Sequence, residues 1–336
     1  MSSHFFSNKK LTKQLSCLIG VSIISTLSLL SEAANIIVNV DDSQQFQQME
    51  GVGASFTDSA AWMVSDTGAI LTPAARQQLM IDLFDPVNGI GLSLLRQPMG
   101  TSDFRWEDYT YNDMPIDETD FGLSNFSVAR DDTYIIPMVQ EAIAVNPNIN
   151  VLALPWSAPA WMKDNASLYQ GSLIDSEQIY DSYADYFVKF IQAYQQRNID
   201  IYAVALQNEP KFEPTDYPGM AMTPSEQVRL AEKIGQKFIA NNISSKIIAY
   251  EHNWDDANYP IAVLNDAVAN SYVSGSSFHC YGGNVSAQTA VHDAHQDKGI
   301  YFTECTESGT ANFAGDFAWA VKNLVIGTTR NWAKTV

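Results

Sequence analysis

The 336-residue sequence predicts an α/β fold of the (β/α)8 TIM-barrel type. Three observations carry that expectation. Apolar runs rich in β-branched residues alternate with amphipathic helical patterns, and the pair recurs seven times, the rhythm of a parallel sheet with crossover helices. Each run is apolar at consecutive rather than alternate positions, which marks strands covered on both faces. No GxGxxG opens a helix and no GxxxxGKS/T occurs, so the phosphate-binding turns of a doubly wound sheet are missing. Gly51-Val52-Gly53 is a lone GxG, and glycine at a tight strand position explains it.

The elements follow in order. A short strand-like segment, Ile36–Val40, comes first. Barrel strands are predicted at Glu50–Phe56, Gly91–Gln97, Asn150–Trp156, Ile199–Gln207, Lys246–Glu251, Ser276–Tyr281 and Gly299–Glu304. Between them the helices announce their starts. Thr72-Pro73 sets an N-cap before a proline at the first helical position. Thr223-Pro224-Ser225-Glu226 adds a capping box to the same device. Ile179, Tyr183, Tyr186, Phe187, Phe190, Ile191 and Tyr194 recur at threes and fours, a core-facing stripe. Asn146-Pro147 ends another helix. An eighth strand would follow Trp332, and the sequence ends at Val336.

Composition narrows the function. Apolar residues make up 46% and charged ones 17%, enough to bury a core and too apolar for a disordered chain. Nineteen basic side chains face 38 acidic ones, a net charge of −19. Such a chain repels phosphate backbones and anionic bilayers, which excludes nucleic-acid binding. The amino terminus reads as an export signal. Lys9, Lys10 and Lys13 precede an apolar run from Leu15 to Leu30, and Ser31-Glu32-Ala33 supplies small residues for cleavage after Ala33 or Ala34. The run is short for a membrane span, so no stable membrane insertion is expected. The predicted organisation is a signal peptide over residues 1–33, an isolated strand segment over 34–44 and the barrel over 45–336. The expected location is extracellular or periplasmic. Beyond the signal only Cys280 and Cys305 remain, and they read as two structural thiols in the packing outside their strands rather than as a disulfide.

Working residues of a parallel barrel sit at the carboxyl ends of its strands. Arg96, Asp103 just beyond, Trp156, Asn208, Glu209, Glu251, His279, Tyr281 and Glu304 stand there. Two carboxylates are singled out. Glu209 in Leu206-Gln207-Asn208-Glu209-Pro210 and Glu304 in Tyr301-Phe302-Thr303-Glu304-Cys305 each end an apolar strand, where desolvation makes an unpaired carboxylate costly. On strands four and seven they face one another across the barrel, at a distance that suits two carboxylates working on one glycosidic bond. Tyr111, Trp156, Trp161, Trp254 and Tyr281 could offer ring faces to a sugar, with core packing the other reading, equally so for Trp161. His252, His279, His292 and His295 show no metal-ligand spacing.

These residues sit within six segments that resemble glycoside hydrolase family 30: MEGVGASFTDSAA, LSLLRQPMGTSDF with YTYND, LPWSAPAWMKDN, ALQNEP, SFHCYGG and FTECTES, in order from about residue 45 onward. That family holds glucosylceramidases, endo-β-1,6-glucanases and related β-glycosidases. The resemblance implies a retaining β-glycosidase with Glu209 as general acid/base and Glu304 as nucleophile. It implies that Arg96, Asp103, Trp156, Asn208, His279 and Tyr281 line the sugar subsite, and that a carbohydrate or glycolipid is the substrate. The YTYND segment looks more like the glucosylceramidase and β-1,6-glucanase branch than the xylanase branch. No cofactor and no metal are implied, and Glu209 is expected to have a raised pKa. The family's eighth strand, with a sugar-binding Trp, and its C-terminal β-sandwich have no counterpart in these 336 residues. A sugar-binding or inactive fragment, or a β-xylosidase or xylanase, is the competing expectation.

Overall fold

A computed structural model of the chain describes residues 39–306 and 312–336. The predicted signal peptide and residues 34–38 lie outside the described residues, as does Glu307. Residues 1–45 and 46–336 form two separate units. Of the first, residues 39–45 are described. Asn39 and Val40 are not in a strand, and Asp41 organises a turn by accepting from the Ser43 amide and hydroxyl and the Gln44 side chain.

The second unit is built on one parallel sheet. Its strands are β1 (Gly53–Ser55), β2 (Leu94–Pro98), β3 (Asn150–Leu154), β4 (Ile201–Ala205), β5 (Lys246–Trp254), β6 (Val273–Gly283) and β7 (Gly299–Glu304). Each pairs in parallel with the next in sequence, so the spatial order equals the chain order. That is the curled sheet the alternating pattern predicts. The helices that return the chain between strands include α1 (Asp58–Val64), α2 (Pro73–Phe84), α3 (Ile135–Val145), α4 (Glu177–Gln195) and α5 (Pro224–Ala240). The predicted caps form as read. Thr72 accepts from the Ala75 amide, and Thr223 and Glu226 complete a reciprocal capping box. The aromatic stripe of α4 is buried along its whole length. No helix among the described residues is long and apolar enough to cross a membrane.

Two cores result. A small one fills the barrel lumen with Leu94, Leu152, Leu154, Trp156, Ala203, Ala205, Ile248 and Tyr301. The larger lies between the sheet and the helices.

No eighth strand is present among the described residues, yet β1 and β7 do not stand open. The segment from Ala333 to Val336 lies between them, bridging Ile300 on one side and Gly51 on the other, both in parallel. The Lys334 amide donates to the Ile300 carbonyl at 2.8 Å, and the Lys334 carbonyl accepts from the Glu50 amide at 2.6 Å. The Gly53 amide reaches the Val336 carbonyl at 2.9 Å, and the Val336 amide the Gly51 carbonyl at 3.2 Å. The Thr335 hydroxyl accepts from the Phe302 amide and donates to its carbonyl. Four residues thus close the bottom of the barrel and satisfy strand edges that are buried or half-buried there. Above them, between β1 and β7, a cavity of about 420 Å³ remains, lined by Gly53, Leu94, Phe302, Leu324 and Val336 among others.

Cys280 and Cys305 correct one expectation. They are bonded to each other, with Cα atoms 5.4 Å apart. Both side chains do point to the outer packing, as strand alternation requires. That shared direction brings them together, because His279 pairs with Glu304 across the β6–β7 ladder and the cysteines follow directly.

Candidate active site

The carboxyl ends of β2 to β7 bring the predicted residues together. Arg96 lies inside the mouth of β2, 4% exposed. Its Nη2 reaches Glu304 Oε2 at 2.7 Å, Asn208 Oδ1 at 2.7 Å and Glu251 Oε1 at 3.0 Å. Its Nε adds a bond to Glu251 Oε1 at 3.2 Å, and its guanidinium lies 4.8 Å from the Trp156 ring centre. One fork therefore fixes two carboxylates and an amide, which a lysine's single nitrogen could not do with the same geometry.

His279 is fully buried at the end of β6. Its Nδ1 lies 3.1 Å from Glu209 Oε1 and 3.8 Å from Glu304 Oε1, while its Nε2 lies 3.1 Å from Glu251 Oε1. Ionised carboxylates only accept, so both ring nitrogens carry hydrogen. Burial opposes that charge, but the Glu304 charge and the bonds to Glu209 and Glu251 outweigh it and push the imidazole up to about 9. Glu209, His279 and Glu304 each place a side-chain donor or acceptor atom within 4.8 Å of the other two. The cluster sets one imidazole between two carboxylates.

The two singled-out glutamates thus face one another, both partly open to the cleft. Glu209 sits in a left-handed backbone conformation with φ 45°, one residue past the Asn208 amide that bonds the Pro155 carbonyl. Its own amide donates to the Glu251 carbonyl at 3.0 Å. Its pKa corrects the expectation of a raised value. Burial pushes it up, but the hydrogen bond and charge of His279, with His252 and Arg96 behind, hold the carboxyl below the usual range.

Glu251 stands at the carboxyl end of its strand, as the sequence reading placed it, though it was not one of the two carboxylates singled out. Ile248 faces the lumen and Ala249 the outer core, so alternation would send Tyr250 inward and Glu251 outward. The structure does the reverse. Tyr250 and Glu251 are both left-handed, with φ 71° and 70°, and the β5–β6 register slips between Tyr250 and His252. This bulge puts the Tyr250 ring against Tyr259 and Phe278 and turns Glu251 into the barrel. There it has no exposure. A matching slip beside Phe278 and His279 skips Thr303 in the pairing, so Glu304 joins Thr303 in facing the lumen, and the Thr303 hydroxyl donates to Glu251 Oε2 at 2.8 Å. Burial would raise Glu251's pKa; the Arg96 charge and the His279 bond hold it down at about 2.

Asp103, Trp156, Asn208, His252, Asn253, Tyr281 and Thr306 join the two glutamates around a cleft of about 460 Å³. Trp156 is buried at its floor, and Tyr281, 47% exposed, bonds Thr306 through its hydroxyl. The other predicted ring faces are elsewhere. Tyr111 is buried with its hydroxyl on Asp131, Trp161 donates to Asn112, and Trp254 stacks on Phe302 in the outer core. The cleft's remaining aromatic walls are Phe104, Phe212 and Tyr217. They lie in the loops carrying Asp103 and Glu209, a proximity that was their one legible signal.

A parallel barrel whose mouth presents two facing carboxylates, a buried arginine and aromatic walls is the arrangement of glycoside-cleaving barrels. Comparison with known proteins agrees. The glycosyl hydrolase family 30 TIM-barrel domain matches residues 49–318, and the chain belongs to that family. An endo-1,6-β-D-glucanase of Neurospora crassa is 32% identical over 308 residues, covering 89% of this chain and 62% of that protein. The lysosomal acid glucosylceramidase of Mus musculus is 30% identical over 264 residues, covering 73% of this chain and 48% of its own length. The solved endo-β1,6-glucanase BT3312 superposes with a TM-score of 0.80 at 34% identity, covering 88% of this chain and 66% of that one. The chain therefore spans less than two thirds of the length of these relatives.

Proposed function

We propose that this protein is a secreted, retaining β-glycosidase that cleaves β-glucosidic bonds, with β-1,6-linked glucan as the favoured substrate. The observation that carries it is the approach of Glu209 and Glu304 to within 4.8 Å. Retaining enzymes hold their carboxyl groups about 5–5.5 Å apart, whereas inverting ones leave room for a water at about 6.5–9.5 Å. The glucanase names among the relatives at 31–34% identity favour the glucan over other β-glucosides. Export rests on the Lys-led apolar run before Ala33.

In the first step Glu304, held as the Arg96 ion partner, attacks the anomeric carbon as the bond to the leaving oxygen breaks. That oxygen takes its proton from Glu209. The Glu209–His279 contact holds one proton between two groups 3.1 Å apart. In the empty site it resides on His279, and it passes to Glu209 as the leaving oxygen arrives. The Asn208 amide, one of whose atoms is fixed by Arg96, meets the 2-hydroxyl, and Trp156 supports the ring. In the second step Glu209, now a carboxylate, takes a proton from water as its oxygen attacks the same carbon, releasing Glu304 and a β-configured sugar.

The test is hydrolysis of β-1,6-glucan, an aryl β-glucoside, an aryl β-xyloside and glucosylceramide, with the first-formed anomer read by NMR. A β-anomer from the glucan supports the reading. An α-anomer, or activity on the xyloside alone, overturns it.

A further inference from the structure

Glu251 touches no part of the open cleft, yet the fold places it at the centre of the catalytic charges. We infer that Glu251 is a positioning residue that holds Arg96 in place and keeps on the Glu209–His279 pair the proton that the reaction uses. This rests on the glycosidase reading for its kinetic consequence only.

Three observations carry it. The residue is delivered by distortion. Tyr250 and Glu251 occupy consecutive left-handed conformations, which are strained in a non-glycine residue and persist only where surroundings impose them. An ordinary strand would have placed a tyrosine here and left the carboxylate outside. Second, the carboxylate is fully satisfied. Oε1 accepts from Arg96 Nε, Arg96 Nη2 and His279 Nε2, and Oε2 from Thr303. A buried anion so completely bonded is rigid. Third, its partners are the two cations that touch Glu209 and Glu304. His279 presents one nitrogen to Glu251 and the other to Glu209, so the imidazole is a rigid link between them.

The charged and titratable groups around this centre come from every strand that packs on it. Arg96 faces it from β2 and Asp103 from the loop beyond, Glu209 stands beyond β4, and His252 lies on β5 itself. Tyr281 follows His279 on β6, and Thr303 and Glu304 end β7. Among them Glu251 is the one carboxylate with no exposure, so its field is the least screened by solvent. Removing an anion 3.1 Å from the imidazole lowers the pH at which the pair's shared proton leaves, whichever of the two groups carries it.

The experiment compares wild type, E251Q and E251D by pH-dependent kcat/KM on an aryl β-glucoside and by the 15N imidazole titration of His279, with urea melts as the check on folding. In E251Q the basic limb and the imidazole midpoint both move down, by roughly 1–3 pH units, the effect of one opposite charge at contact. Turnover at the optimum falls about 10²-fold, the scale of an ångström-sized misplacement, while KM changes little. E251D, which keeps the charge, restores the basic limb. An E251Q enzyme with a wild-type basic limb and imidazole midpoint overturns the inference, even if it is less stable or slower at every pH. The titration needs no substrate. An inactive wild type would count against the glycosidase reading, and the imidazole midpoint would still decide this one.

Discussion

Removing Ala333–Val336 should cost the barrel a substantial part of its stability and Glu304 its support. These residues supply four backbone hydrogen bonds to the strands on either side, and Thr335 supplies two more to Phe302. Ala333 and Thr335 have no exposure, so the groups they satisfy would be left on buried or half-buried edges. At about 0.5–1.5 kcal/mol net for each bond, the six together are worth about 3–9 kcal/mol. The Lys334–Glu50 ion pair at 2.9 Å adds little, being partly exposed. Against a net stability of about 5–15 kcal/mol, that loss leaves a chain that melts early or does not fold. Glu304 lies on β7 only two residues above Phe302, so turnover should fall before the whole barrel melts. The assay is urea unfolding of the two chains beside aryl-glucoside turnover at low temperature. A shortened chain within 1 kcal/mol of the parent, with equal turnover, would show that the strand edges tolerate water and refute the reasoning.

Further expectations concern the site. Glu304→Ala should lose turnover and regain it with azide, giving a product of inverted configuration; Glu209→Ala should stay active on substrates with good leaving groups, and azide rescue at any other carboxylate would move the nucleophile elsewhere. Reduction of Cys280–Cys305 by dithiothreitol, or the double change to Ser, removes a cross-link over a sequence separation of 25, worth about 3.5 kcal/mol in the loop-entropy account. It should lower the melting temperature and loosen Glu304, next to Cys305; an unchanged melting curve after verified reduction argues against it. His279, raised from 6.5 to about 9 in the folded state, contributes stability that is complete below 6.5 and lost as pH rises through 9. Urea midpoints between pH 6 and 10 should show that decline in wild type and a flatter course in His279→Gln.

The sequence by itself determined the barrel, its strand order and the two glutamates at its mouth. Those features depend on local signals: consecutive apolar runs mark two-sided burial, caps mark helix starts, and a carboxylate ending an apolar strand has no reason to be there except pairing or chemistry. Arg96, Asn208 and His279 were legible for the same reason. What depends on phase, rather than on pattern, was decided only in three dimensions. A single bulge reverses which of Tyr250 and Glu251 faces the lumen, and no periodicity of two can announce it. The pairing of Cys280 with Cys305 needed the His279–Glu304 register, which 25 residues of intervening chain do not encode. Trp254 and Tyr111 look like ring platforms in the sequence and turn out to be core, because ring type does not state which side of a wall it occupies. The pKa of Glu209 was misread for a related reason. Burial alone raises a carboxyl, and only the placement of His279 at 3.1 Å, itself held by Glu251 from below, reverses the sign.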